Sequence, residues 1–316
     1  MQNKPPIYIC PKCKTKNYSW LKRCQNCGAL LLDLETRGHP KKNKNYINIF
    51  SIVLLLIVMF TLSKTIHFDS SNLNLNTNLL NLPMNKSEAL QTLNFNNAIT
   101  RDFSWDYNGF SYRWTVGAPI DLLNWDKSIQ KTLNAYVNSK SGYGQKMLLS
   151  SAPDNIKILI NSRVSNNLVS WVIEDSNLKY TNFLAEILKD HAHKSKFDYF
   201  HTAEFALSFV GSIPYEVQET QLPAQTIIEN GDCDCKSVLY ASILLNMGYK
   251  VSLLSYPNHM AVGIAFEDNQ VIGNKLSFYN HNGTNYYYCE TTTPGWGIGK
   301  LNNEMAVTTA AIYPIN

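Results

Sequence analysis

The sequence contains no internal repeat, which excludes a solenoid or a propeller. From Ile47 to Leu62 it also contains no charge, and the next charged side chain is Lys64. No small-residue cleavage site follows this run and it begins far from the N-terminus, which argues against a cleaved signal peptide. A membrane span needs about 20 predominantly apolar residues. Residues 46–63 reach the short end of that range and are expected to form one transmembrane helix, the alternative being a buried core helix. Basic residues are abundant before the run and scarce after it. Residues 1–46 hold ten Lys/Arg against two Asp/Glu, a net of +8 within a chain of +4, so the rest carries −4. With Lys41, Lys42 and Lys44 directly before the span, the expectation is a single-pass protein with its N-terminus in the cytoplasm and its large C-terminal domain outside.

Of seven cysteines, four fall before this span as Cys10-x-x-Cys13 and Cys24-x-x-Cys27. Two thiolate pairs on tight turns offer four soft ligands in a tetrahedron, which suits structural Zn²⁺. Two disulfides are the alternative, disfavoured in a reducing compartment and strained at this spacing. A zinc ribbon is therefore expected over 7–30, with the metal holding folded a piece too short to build its own core. The spacing of Cys13, Asn17, Cys24 and Cys27-Gly28 resembles Ran-binding-protein-type zinc fingers, and equally the short zinc ribbons that precede membrane spans in microbial proteins. The first resemblance implies single-stranded RNA or ubiquitin as partners, and Tyr18, Trp20, Lys22 and Arg23 have the chemistry to stack on bases and neutralise phosphate. A small core beside anionic lipid accounts for the same residues more simply, so no nucleic-acid partner is expected. Residues 64–98, low in complexity and rich in Asn, read as a linker that tethers the C-terminal domain.

The remaining 99–316 belongs to a chain that is 45% hydrophobic and 12% aromatic, enough to bury a sizeable core. Alternating aromatic runs on either side of Asn108-Gly109 predict a hairpin over 103–116. Three- and four-residue apolar spacing predicts helices over 154–172, 182–195 and 201–210. Trp105, Trp114, Trp125 and Trp171 read as core. His191, His193 and His201 do not share a helix face and are not expected to bind metal.

Chemistry concentrates after residue 230. Asn230-Gly231-Asp232 reads as a turn and helix cap, Ser237 to Met247 as an apolar helix, and Gly248 as its stop. Cys233 then opens that helix, where the dipole favours a thiolate. His259 begins a period-two strand with Met260, Val262, Ile264 and Phe266 on one face and His259, Ala261, Gly263 and Ala265 on the other. The small face is expected to receive the Cys-bearing helix. Asn282-Gly283 marks a hairpin into a strand on which Tyr286, Tyr288 and Glu290 share a face and Cys289 points away. A thiol nucleophile, an imidazole that moves its proton and a carboxylate that orients the imidazole make an acyl-transfer site. Cys233, His259 and Glu290 can fill those roles, with Cys235 a rival nucleophile near the same helix start and Cys289 structural.

The residues Gly231-Asp232-Cys233-Asp234-Cys235-Lys236-Ser237-Val238-Leu239, Gly248-Tyr249, Asn258 to Gly263, and Tyr288 to Trp296 resemble the transglutaminase-like superfamily, in its microbial branch of papain-fold cysteine peptidase relatives. The resemblance covers about residues 200–293. It implies an α+β papain-like core, with the Cys-bearing helix packed on an antiparallel sheet, and maps the nucleophile, histidine and acid onto Cys233, His259 and Glu290. It also implies a cysteine peptidase, amidase or acyltransferase working on peptide, protein or cell-wall amides without a catalytic cofactor, the alternatives being a non-catalytic exported binding module on the same fold or, from the architecture alone, a regulator with a cytoplasmic zinc ribbon. Two departures stand out. The acidic residue common two after the cysteine is Cys235 here, and Phe-Val-Gln before the helix is Phe209-Val210-Gly211, which removes a side-chain oxyanion donor.

Overall fold

A computed structural model describes residues 7–9, 14, 16–18, 87–267, 270–271, 275–301 and 308–315. The chain divides into two compact units, Met1–Leu82 and Pro83–Asn316. In the first, β1 (Ile7–Ile9) and β2 (Lys16–Tyr18) pair antiparallel, Ile7 opposite Tyr18. Cys10, Cys13, Cys24, Cys27, the segment 46–63 and residues 64–86 lie outside the described residues. Among the described residues no helix is long and apolar enough to cross a membrane.

The second unit is α+β, with eight helices and two sheets among the described residues. It opens with β3 (Ser87–Ala89), β4 (Ala98–Tyr107) and β5 (Phe110–Pro119), in the order β3-β5-β4. Asn108 and Gly109, at φ 51° and 81°, make the expected two-residue turn between Tyr107 and Phe110. Within residues 87–98, expected to be linker, 87–89 form β3, Leu93 bridges Val116 and Ala98 opens β4. β3 runs parallel to β5, Leu90 and Leu93 are buried, and their N–H groups donate to Arg113 O (2.9 Å) and Thr115 O (3.0 Å). The apolar side chains there outweigh the weak strand preference of Asn.

Seven helices follow: α1 (Ile120–Asn138), α2 (Gly142–Ser151), α3 (Asp154–Val164), α4 (Val169–Val172), α5 (Asp175–Lys194), α6 (Tyr199–Ser212) and α7 (Pro223–Glu229). The single helix expected over 154–172 is broken between α3 and α4, where Asn166 takes φ 59°. The helix expected from Asn182 starts earlier, at Asp175, because the Glu174 carboxylate accepts the Asn177 N–H at 2.9 Å.

The eighth helix, α8 (Cys233–Met247), is apolar nearly all round and almost wholly buried, as a central helix must be. Gly248, at φ 91°, closes it. It packs with an antiparallel sheet of β6 (Lys250–Tyr256), β7 (His259–Ala265), β8 (Phe278–His281), β9 (Thr284–Cys289) and β10 (Ala311–Ile315), ordered β10-β6-β7-β9-β8. Asn282 and Gly283, at φ 50° and 82°, turn β8 into β9 as expected. The helix does not use the small face of β7. Met260, Val262 and Ile264 join Val238, Leu239 and Tyr240 in the main core, while Ala261 packs on the other side with Leu254, Tyr256 and Tyr288. Gly263 is small for its neighbouring strands: a Cβ there would come 2.5 Å from Ser252 Oγ and 2.8 Å from Tyr286 Cβ.

Candidate active site

The turn before α8 is built for close approach. A Cβ at Gly231 would meet Cys235 Cβ at 2.6 Å and Thr226 Cγ2 at 3.0 Å. Arg101 reaches across from β4 to the carbonyls of Ile227 (3.1 Å) and Ile228 (3.2 Å) and to Asn230 Oδ1 (2.6 Å), satisfying the end of α7 and fixing Asn230 at φ 86°. Asp232 caps α8 by accepting the Cys235 N–H, so Cys233 is the first helical residue.

The imidazole and carboxylate meet directly. His259 Nε2 lies 3.1 Å from Glu290 Oε2, which also accepts the Tyr288 hydroxyl at 2.7 Å. Glu290 Oε1 accepts the Thr292 N–H (3.0 Å) and hydroxyl (2.7 Å). Burial pushes the Glu290 carboxyl up, but the donors from His259, Tyr288 and Thr292 outweigh it and hold the group down at about 2. With Nε2 committed to Glu290, Nδ1 is the ring nitrogen left to take a proton.

Cys233 makes no hydrogen bond to this pair among the described residues. Its side chain is 6% exposed, its thiol donates to Asp234 Oδ1 at 3.5 Å, and its sulfur accepts the N–H of Met260, the residue after His259. Among the described residues no hydrogen bond joins the thiol to the His259 ring. Burial, then the carboxylates of Asp234 and Asp232, push the thiol pKa up, against the pull of the helix dipole.

Two side chains of the same helical turn connect the pieces. Ser237 Oγ donates to Met260 O (3.0 Å) and meets Thr291 Oγ1 (3.2 Å), so one hydroxyl reaches the residue after His259 and the residue after Glu290. Lys236, fully buried, places its ammonium on three carbonyls: Ile213 (2.7 Å), Thr292 (2.9 Å) and Gly211 (3.2 Å). Burial lowers its pKa to about 7, opposed by the Glu290 charge. Sequence reasoning passed over both residues, and the signal was a lone cation and a hydroxyl at the head of an otherwise apolar helix.

The other cysteines face elsewhere. Cys235 is fully buried, its sulfur accepts the Gln221 N–H at 3.3 Å, and burial raises its pKa. Cys289 lies in the main core with its thiol toward Tyr287 O. The carboxylates of Asp232 and Asp234 and the Cys233 sulfur lie within 4.8 Å of one another, a set with the chemistry to hold a cation. Asp232 is already a helix cap, while Asp234 takes Thr220 Oγ1 at 3.4 Å and Arg163 Nη2 at 3.7 Å.

Gly211 is close-packed: a Cβ there would come 3.1 Å from Thr293 O, so a side chain would need that backbone to give by a few tenths of an ångström. Beside the turn before α8, Tyr215 pairs with Gly231 and is 45% exposed. Burial and then the nearby Cys233 raise its hydroxyl to about 12. No protein-family model, curated protein or solved structure matches this chain.

Proposed function

We propose that the C-terminal unit is a papain-like, transglutaminase-type thiol enzyme that transfers acyl groups from amides, with peptide, protein or cell-wall amides as substrates. Cys233 gives its proton to His259 Nδ1 and attacks the amide carbon. The amine leaves with that proton, and the thioester is resolved by water or a second amine. The Cys233 N–H, at the first position of the helix where no intrahelical acceptor is available, is one oxyanion donor. Hydrolysis by a peptidase or amidase is favoured over crosslinking, as the resemblance implies.

The observation that carries this reading is the His259–Glu290 pair, tied through Ser237 to the first turn of the helix that begins with Cys233. In the full chain, a thiol alkylator should label Cys233 with loss of amide turnover. Labelling should persist in Cys235→Ala and vanish with activity in Cys233→Ala. Undiminished labelling in Cys233→Ala would sink the assignment.

The thiol's burial and raised pKa favour a second reading, a non-catalytic binding module on the same fold. Ligand binding and biological function surviving in Cys233→Ser would select it, since a hydroxyl does not replace the thiolate. The zinc ribbon at Cys10, Cys13, Cys24 and Cys27 and the span over 46–63 complete the proposal as a single-pass membrane protein with the enzyme outside. Their support is cysteine spacing, charge asymmetry and the uncharged run.

A further inference from the structure

Tyr288 is fully buried among Leu254, Tyr256 and Ala261, on the side of the sheet away from the main core. Phenylalanine would fill that space equally well, so packing does not explain the hydroxyl. A buried phenol needs a partner. Here the partner is the oxygen that His259 also uses: the hydroxyl donates to Glu290 Oε2 at 2.7 Å and lies 3.4 Å from His259 Nε2.

In the acyl-transfer reading, on which this inference rests, His259 becomes an imidazolium whose Nε2–H faces Glu290. A carboxylate only 5% exposed tends to take such a proton, because burial disfavours its charge. Each donor to the ionised form opposes that transfer. Thr292 supplies two on Oε1, and on Oε2 the only donor besides His259 among the described residues is Tyr288. We propose that Tyr288 is a positioning residue, its hydroxyl holding Glu290 Oε2 as the fixed, ionised acceptor for His259 Nε2. The proton that leaves Cys233 then stays on the imidazole until the departing amine collects it, and neither Glu290 nor Tyr288 gains or loses one.

Tyr288→Phe in the full chain should lower kcat about tenfold on a peptide amide or glutaminyl peptide turned over by the wild type, with KM within about twofold. Because the hydroxyl acts through Glu290, a Tyr288→Phe/Glu290→Gln double variant should be no slower than Glu290→Gln alone. Wild-type kcat in Tyr288→Phe, or losses that multiply in the double variant, would overturn the proposal. A second readout needs no turnover. The carboxyl carbon resonance of Glu290 should titrate near 2 in the wild type and at higher pH in Tyr288→Phe. An unmoved midpoint would overturn the clamp, whereas a moved midpoint in a chain that never turns over an amide keeps the clamp and removes the reaction. Should Tyr288→Phe not fold, a wild-type midpoint near 4.5 would overturn it and one near 2 would support it.

Discussion

The two halves of the candidate site are built differently. On the sheet side, Glu290 accepts four hydrogen bonds and His259 is fixed by it. On the helix side, Cys233 is buried, raised in pKa and bonded to neither. Orienting an imidazole takes rigid, paired groups, which neighbouring strands supply through register. A nucleophile takes a thiol that can lose its proton when a substrate displaces the groups around it. On the proposed reading, the sheet half is thus organised in advance, and the helix half would need a substrate to bring about its deprotonation.

The largest expected effect breaks the organised half. Glu290→Gln puts an amide where His259 Nε2 now meets a carboxylate, favouring the wrong tautomer, and should lower kcat roughly a thousandfold or more. Steady-state kinetics on an amide substrate turned over by the wild type checks it, and a loss below tenfold would place Glu290 outside the mechanism. The same variant tests linkage. Glu290 is held below its ordinary value of 4.5, so its contribution to stability is complete above that pH and disappears as pH falls toward 2. Acid unfolding of Glu290→Gln should lack that component.

Next comes the joint between the halves. Lys236→Met removes the ammonium that gathers the carbonyls of Gly211, Ile213 and Thr292 and leaves all three buried without it. A loss of roughly 3 kcal/mol in denaturant unfolding is expected, comparable to breaking a buried ionic contact. Unchanged stability would mean that the Lys236 hydrogen bonds do not hold these carbonyls together.

Much of this comparison is legible in the sequence. Asn108-Gly109 and Asn282-Gly283 announced their hairpins because both central residues of such a turn take positive φ. The cap at Asp232, the stop at Gly248 and the shared face of Tyr288 and Glu290 followed from local rules of the same kind. Tertiary choices were not legible. Residue size along β7 suggested that α8 would sit on the side of Ala261 and Gly263, yet that space serves Ser252 and Tyr286 on the flanking strands. Leu90 and Leu93 were hidden in an Asn-rich stretch because their partners, Arg113 and Thr115, come from a strand more than 20 residues later. The thiol's surroundings depend on how Met260 and Asp234 meet around it, which spacing does not encode.

The smallest perturbation separates the halves most cleanly. Ser237 is fully buried and touches the backbone beside His259 and the side chain beside Glu290, but no catalytic atom. Ser237→Ala deletes one oxygen and leaves Met260 O and Thr291 Oγ1 short of a partner, costing about 1–2 kcal/mol. The four donors on Glu290 remain, so its carboxyl should still titrate near 2. If the hydroxyl sets the spacing between thiol and imidazole, kcat should fall several-fold while that midpoint stays put. A fall in kcat accompanied by a shifted midpoint would mean that the halves form one hydrogen-bonded unit, and full activity would confine Ser237 to stability.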